Sequence, residues 1–486
     1  MATELGNPDG SVSDALVAYW TARAQGGFGL LTVEFTAVDP AGRAMPKELG
    51  VWDDSFIPGF KRLTEAVHRY GAKMLLQIHH GGREAVVGDP PVSASPMRTS
   101  LLNKVPRELT TEEVWALVEQ FGDAAVRARE AGFDGVEVHG GHGYGIAQFM
   151  SAYSNKRTDI FGGNLNNRLR FPVEIVKNIR KKVGRSYPIS FRFSGDEKVP
   201  GGRNVEESKT VARVMQEAEV DVIRVTIGVY LSGHYTIAPA AVPQGYQLLM
   251  ASEIKKAVSV PVITVGRITE PLMAETALQT GMADLIAWGR PSLADADLPN
   301  KVAEGRLDEI APCIGCLEGC VGRLFGGYAP SCLVHPFTGL EAELKANLPA
   351  IRKRVSVVGA GPAGLEAAWV AASRGHRVTV YEKEGYFGGQ FRPASVPPFK
   401  QDLTRAVRYW VTMGEKHGVE FKLRTAATAA GILADKPNAV VLATGAEHQG
   451  GNRSPGGHSL GDPQPREAGR PQRADRGRWH GRLRNG

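Results

Sequence analysis

Outside one stretch of twenty residues, CIGCLEGCVGRLFGGYAPSC (313–332), this chain of 486 residues contains no cysteine. That confinement excludes a disulfide-stapled secreted scaffold, whose thiols are spread through the fold. Long apolar runs are missing as well. None approaches the ~20 residues that cross a bilayer, and the opening ATELGNPDGSVSD has no charged-then-apolar leader pattern. A cytoplasmic protein without a membrane partner is expected. A distributed charge surplus is also lacking. The formal net charge is +7, but residues 447–486 hold eight Arg against four acidic residues. The field of the remainder is too weak to argue for nucleic acid. Length excludes a single ordinary core, so two or three domains are expected.

What the chain does contain, from residue 13 to 300, is an alternation of amphipathic helix and short β-rich run. The strand candidates are 28–35, 73–80, 133–140, 188–195, 221–228, 261–268 and 283–290. Between them lie helical patterns such as TTEEVWALVEQFGDAAVRAREAG, whose Thr-Thr-Glu-Glu spells a capped start. Strands buried on both faces and separated by helices predict a parallel sheet. No nucleotide fingerprint follows the first strand, which favours an α/β fold of the TIM (β/α)8 barrel type over a doubly wound sheet. Seven strands are countable where eight close the ring, so a barrel lacking its first strand is expected, spanning residues 1–305.

Chemistry in such barrels sits at the carboxyl ends of the strands. There the sequence offers Gln77, His79 and His80; then His139, His142 and Tyr144; then Arg192. The last two strands end in Gly266–Arg267 and Gly289–Arg290. Glycine lets backbone N–H groups approach a phosphate and arginine neutralises it, so these pairs are candidates for a phosphate site.

The cysteines are spaced Cys313-x2-Cys316-x3-Cys320-x11-Cys332 within a segment read as 306–350. Paired knuckles typical of structural zinc are not repeated in the second half. Three thiolates on one tight loop with a fourth from a distance suit a four-iron cluster, with zinc as the alternative. Gly315 and Gly319 let the chain curl closely.

Residues 351–446 then read as a partial Rossmann-like domain. RVSVVGAGPAGLEAAWVAASRGHRVTVYEK is strand, glycine turn, helix and strand, with Gly359, Gly361 and Gly364 in the G-x-G-x-x-G spacing and Glu382 placed to accept from ribose hydroxyls. FGGQF (387–391), which includes Gln390, and VVLATGA (440–446) follow at distances typical of FAD-binding folds. Residues 447–486, with nine Gly and eight Arg and no period, are expected to be disordered. A reading-frame slip near 447 is expected in preference to a functional basic tail.

Together LQIHHGGR, VEVHGGHGYGIAQFMSAYSNKRTDIFGG, the Gly-Arg strand ends, the four-cysteine spacing and GAGPAG make the chain similar, up to about residue 446, to the iron–sulfur flavoprotein family of 2,4-dienoyl-CoA reductase, trimethylamine dehydrogenase and enoate reductase. Its barrel is that of the old yellow enzymes. The resemblance implies FMN in the barrel, a [4Fe–4S] cluster beside it and FAD in the next domain, with NAD(P)H as electron donor. It implies that Gln77 and Arg192 contact the flavin, and that Gly266, Arg267, Gly289 and Arg290 hold the FMN phosphate. It further implies that His139 and His142 hydrogen-bond a substrate carbonyl and that Tyr144 donates a proton. The physical chemistry agrees: hydride delivered to a β-carbon builds charge on oxygen, which imidazole donors stabilise, and a phenol stays protonated at neutral pH. His234 is a further polar candidate. The histidine pair favours reduction of an activated C=C in a small unsaturated substrate over oxidative N-demethylation. A non-catalytic truncated fragment is the third reading, and homo-oligomerisation is left open.

Overall fold

The structure, a computed structural model, describes residues 2–98, 102–343 and 351–446, so the tail read at 447–486 lies outside it. Residues Met1–Gly445 form one compact unit with two apolar cores.

The larger core belongs to a parallel sheet of seven principal strands: β1 Leu30–Ala37, β2 Lys73–His79, β3 Gly135–Gly140, β4 Ile189–Ser194, β5 Val222–Thr226, β6 Val262–Thr264 and β7 Leu285–Ile286. They follow one another across the sheet in sequence order, and a two-residue strand, Leu49–Gly50, continues it beyond β1. All seven expected strands are present. Among the described residues no pairing joins the two ends of the row, and Leu30 and Leu285 are exposed there. The last two strands are shorter than expected. Gly266 and Arg267 adopt positive φ (123° and 50°), which takes the chain out of the extended conformation just after β6.

Helices cover the sheet because their apolar residues recur at three and four. Helix α1, Thr111–Glu130, buries Val114, Leu117, Val118, Phe121 and Ala125 and packs on helix α2, Leu165–Val183. Its start is the capping box that the sequence spells. Thr110 Oγ1 accepts from the Glu113 amide at 3.2 Å, and the Glu113 carboxylate accepts from the Thr110 amide at 2.7 Å.

The smaller core lies under a second parallel sheet: β8 Arg354–Val358, β9 Arg377–Tyr381, β10 Glu420–Lys422 and β11 Ala439–Leu442, in the order β10-β9-β8-β11. This is the 3-2-1-4 arrangement of a Rossmann half. Helix α3, Pro362–Ser373, follows the glycine turn, and helix α4, Asp402–Lys416, packs beside it. No described helix is long and apolar enough to cross a membrane.

Replacing Thr110 with Ala removes the cap at one end of α1. It is expected to lower stability by about 1 kcal/mol, read as a fall in the midpoint of denaturant unfolding with unchanged m-value.

Candidate active site

The site is built in rows, because parallel register places one residue from each strand at the same height. One row is Gln77, Glu137 and Ser190, paired across β2, β3 and β4. Glu137 is fully buried and is the acceptor of the row, taking hydrogen bonds from Gln77 Nε2 at 2.6 Å, Ser190 Oγ at 3.0 Å and Arg224 Nη1 at 3.1 Å. Burial opposes its charge, yet Arg224 and Arg192 nearby bring its carboxyl below the usual range.

Two residues further along each strand is a second row, His139, Arg192 and Arg224. The register Ile78↔Val138 sets His79 beside His139, with ring centroids 5.5 Å apart. Among the described residues, Arg192 Nε is buried without a hydrogen-bond partner. Burial first, then the adjacent Arg224, lowers its guanidinium to about 10, so it stays a cation at neutral pH.

Beyond β3 the chain turns through Gly141–Tyr144. His142 takes a positive φ of 58°. Its amide donates to Ser194 Oγ at 3.0 Å, and its Nε2 lies 2.9 Å from Thr226 Oγ1. His139 Nδ1 accepts from the Gly141 amide at 3.4 Å. Burial, reinforced by Arg192, pushes both imidazoles well below their usual range, so they are neutral. Tyr144 is buried 5.3 Å from the His139 ring, and its hydroxyl lies 2.6 Å from that of Tyr230. Burial and the neighbouring Tyr230 raise its phenol well above 10. The structure therefore gathers Gln77, His139, His142, Tyr144 and Arg192 as expected. His234 is not gathered; it is exposed and stacks on Tyr235.

The Gly-Arg pairs divide. The Arg267 guanidinium is engaged by the protein itself, with its Nε left unpartnered. It is buried, donates to the carbonyls of Ala240 and Val242, and pairs with Asp402 of α4 at 2.7 Å. A Cβ at Gly266 would sit 2.7 Å from Gln247, whereas Gly289 has open space around it. Arg290 donates to the Ala238 carbonyl at 2.7 Å and forms part of the wall of the cysteine cavity.

All four cysteines are free thiols and line that one cavity. Gly315 takes φ 65°, and its carbonyl accepts from the Ala240 amide, tying the loop to the barrel. At Gly319 a Cβ would come 2.7 Å from the Ser331 carbonyl, so only glycine lets the Cys332 arm close on the Cys320 arm. Among the described residues, no three His, Cys, Asp or Glu side chains converge as one metal ion requires. The sulfurs surround a space instead, a donor set that fits a multi-iron cluster.

In the second sheet Gly359 takes φ 101°, and a Cβ at Gly364 would lie 1.9 Å from the Gly359 carbonyl. Gly361, at the start of α3, faces Gly389, leaving an open cradle of backbone that fits a pyrophosphate. Gln390 follows Gly389 at the start of the helix Phe391–Ala394. Glu382 differs from expectation in part. Its oxygens accept from the amides of Ala360 at 2.7 Å and Glu384 at 2.9 Å, so the buried side chain braces the turn.

For FMN, the fit rests on buried polar atoms without partners. Gln77 Oε1 and Arg192 Nε are both of this kind and both lie toward the strand ends.

Residues 1–309 match the NADH:flavin oxidoreductase / NADH oxidase family, and residues 357–420 match an NAD(P)-binding Rossmann-like domain. Among curated relatives, the NADH oxidase of Thermoanaerobacter brockii is 46% identical over 92% of this chain and 70% of its own. The cinnamate reductase of Clostridium sporogenes is 39% identical over 90% of this chain and 70% of its own. A solved 2-naphthoyl-CoA reductase, in complex with 2-naphthoyl-CoA, superposes with a TM-score of 0.88 at 34% identity, over 92% of this chain and 70% of that one. A barrel of this kind with these relatives is an oxidoreductase, an enzyme of the flavoprotein class. The chain belongs to the NADH:flavin oxidoreductase / NADH oxidase family. The second match names a nicotinamide nucleotide where the sequence reading expected FAD; a pyrophosphate cradle serves either.

Sequence reasoning missed Glu137, Tyr230 and Glu48. Glu137 was findable, since it alternates with His139 on one face of a strand read as buried. Tyr230, just past the end of β5, carries the same strand-end signal. Glu48, in a loop before the Leu49–Gly50 strand, carries none.

Glu137→Leu leaves two arginines facing a buried site without their carboxylate. The expected loss is about 3–5 kcal/mol of stability, measured by chemical denaturation.

Proposed function

We propose that the chain reduces an activated carbon–carbon double bond conjugated to a carbonyl, in an enone, enoate or acyl-CoA. The observation that carries this is the buried phenol pair, Tyr144 and Tyr230, set against neutral imidazoles at the ends of adjacent strands. FMN held by Gln77 and Arg192 would supply hydride, and a [4Fe–4S] cluster on Cys313, Cys316, Cys320 and Cys332 would relay single electrons from NAD(P)H by way of FAD on the glycine turn. Cinnamate and 2-naphthoyl-CoA, named for the reductases above, are conjugated acyl compounds, which supports this substrate class.

The chain's own residues do the following. His139 donates to the carbonyl oxygen that gains charge as the β-carbon is reduced. Because it is neutral, this donation does not depend on a titration near pH 7. Tyr144, kept protonated by burial, delivers its proton to the α-carbon. The Tyr230 hydroxyl, 2.6 Å away, stabilises the phenolate left behind. Arg192 stabilises negative charge on any ring bound over the strand ends.

Tyr144→Phe is expected to slow reoxidation of the dithionite-reduced enzyme by an enone by about 10²–10⁴-fold while the flavin spectrum stays unchanged. Reoxidation at the parent rate would falsify the assignment. Cys332→Ala should lose iron and acid-labile sulfide from protein purified without oxygen while keeping its barrel flavin.

A further inference from the structure

His79 has no part in the steps just described, yet one end of its ring is firmly held. Its Nδ1 lies 2.9 Å from Glu48 Oε1, and both side chains are fully buried. Glu48 is fixed from behind, its other oxygen accepting from the Ala44 amide at 2.5 Å. The far nitrogen of the ring, Nε2, is buried and unpartnered. The ring stands at right angles to Tyr144, centroids 4.4 Å apart, and lies closer to parallel with His139, at 34°. It also follows Gln77 by two residues, on the same face of β2. A buried polar nitrogen with no partner is costly, and this one lies among the groups that surround the reacting bond.

The protonation of the pair determines what Nε2 offers. Burial pushes Glu48 well above the carboxylate range and lowers His79 to about 3. Both directions favour the uncharged forms, an acid and an imidazole with one proton each. The Glu48 carboxyl then donates to Nδ1, and the ring's own proton sits on Nε2. His142, the expected partner of His139, is less available, because its Nε2 already meets Thr226.

We propose that His79 is a third imidazole donor of the site, held at Nδ1 by Glu48 so that Nε2, together with His139, receives the substrate's carbonyl oxygen. The inference rests on the reductase reading above. It involves hydrogen-bond donation only, and no proton leaves the pair.

The probe is p-nitrophenol, whose phenolate is an oxyanion with visible absorbance that shifts on binding. In the holoenzyme, His79→Asn is expected to weaken phenolate binding about tenfold or more with flavin content unchanged. Glu48→Leu should weaken it as much, and Glu48→Gln, whose amide N–H can replace the carboxyl donor, should recover most of the loss. Infrared difference spectra of the parent against Glu48→Gln give a readout independent of binding: the C=O band of a protonated carboxyl must be present in the parent and absent from the variant. Unchanged binding in His79→Asn while His139→Ala weakens it, or no such band, overturns the proposal. If His139→Ala also binds as the parent does, the reductase reading itself fails.

Discussion

Glu137 is the group on which the arrangement of the barrel end depends. A carboxylate this deep is costly on its own, and the half-buried Arg192 and Arg224 bring two like charges side by side. Placed on adjacent strands they offset one another, and the remaining lone pairs of Glu137 fix Gln77 and Ser190. The row above inherits its order. With Glu137 fixing the lower side chains, the register of β2, β3 and β4 brings His79, His139 and Arg192 to one height. A slip of one residue in any strand would send its polar groups to the other face.

The cysteine segment joins this barrel end to the second sheet. Its loop is tied to the barrel through Gly315 and Ala240, while Cys316 and Cys332 pack on the smaller core. Helix α4 completes the junction. Asp402 pairs with Arg267, Arg405 with Glu270, and the Trp410 indole donates to the Val334 carbonyl. The thiols therefore lie where the two apolar cores meet. Burial keeps three of them, Cys316, Cys320 and Cys332, above the usual thiol range.

Much of this was legible beforehand, for physical reasons that differ by element. The seven strands were readable because each is an apolar run bounded by turn residues, and α1 because Thr110 and Glu113 write its start. His139, His142 and Tyr144 were readable because a strand-end position has a chemical meaning in this fold. The employment of Arg267 was not. A guanidinium after a glycine looks the same in sequence whether it faces an anion or Asp402, 135 residues away. Glu48 was hidden for a similar reason, since only tertiary packing brings that loop against His79. The strand lengths near residue 266 were overread because the positive φ of Arg267 leaves no mark on composition.

Two guanidiniums set against one carboxylate leave a surplus of one positive charge among these three side chains, beneath the strand ends. In so poorly polarisable a medium that surplus is felt over several ångströms. Whatever electron carrier rests there becomes harder to oxidise once reduced. The barrel floor therefore acts as a built-in bias on electron affinity, present before any ligand arrives.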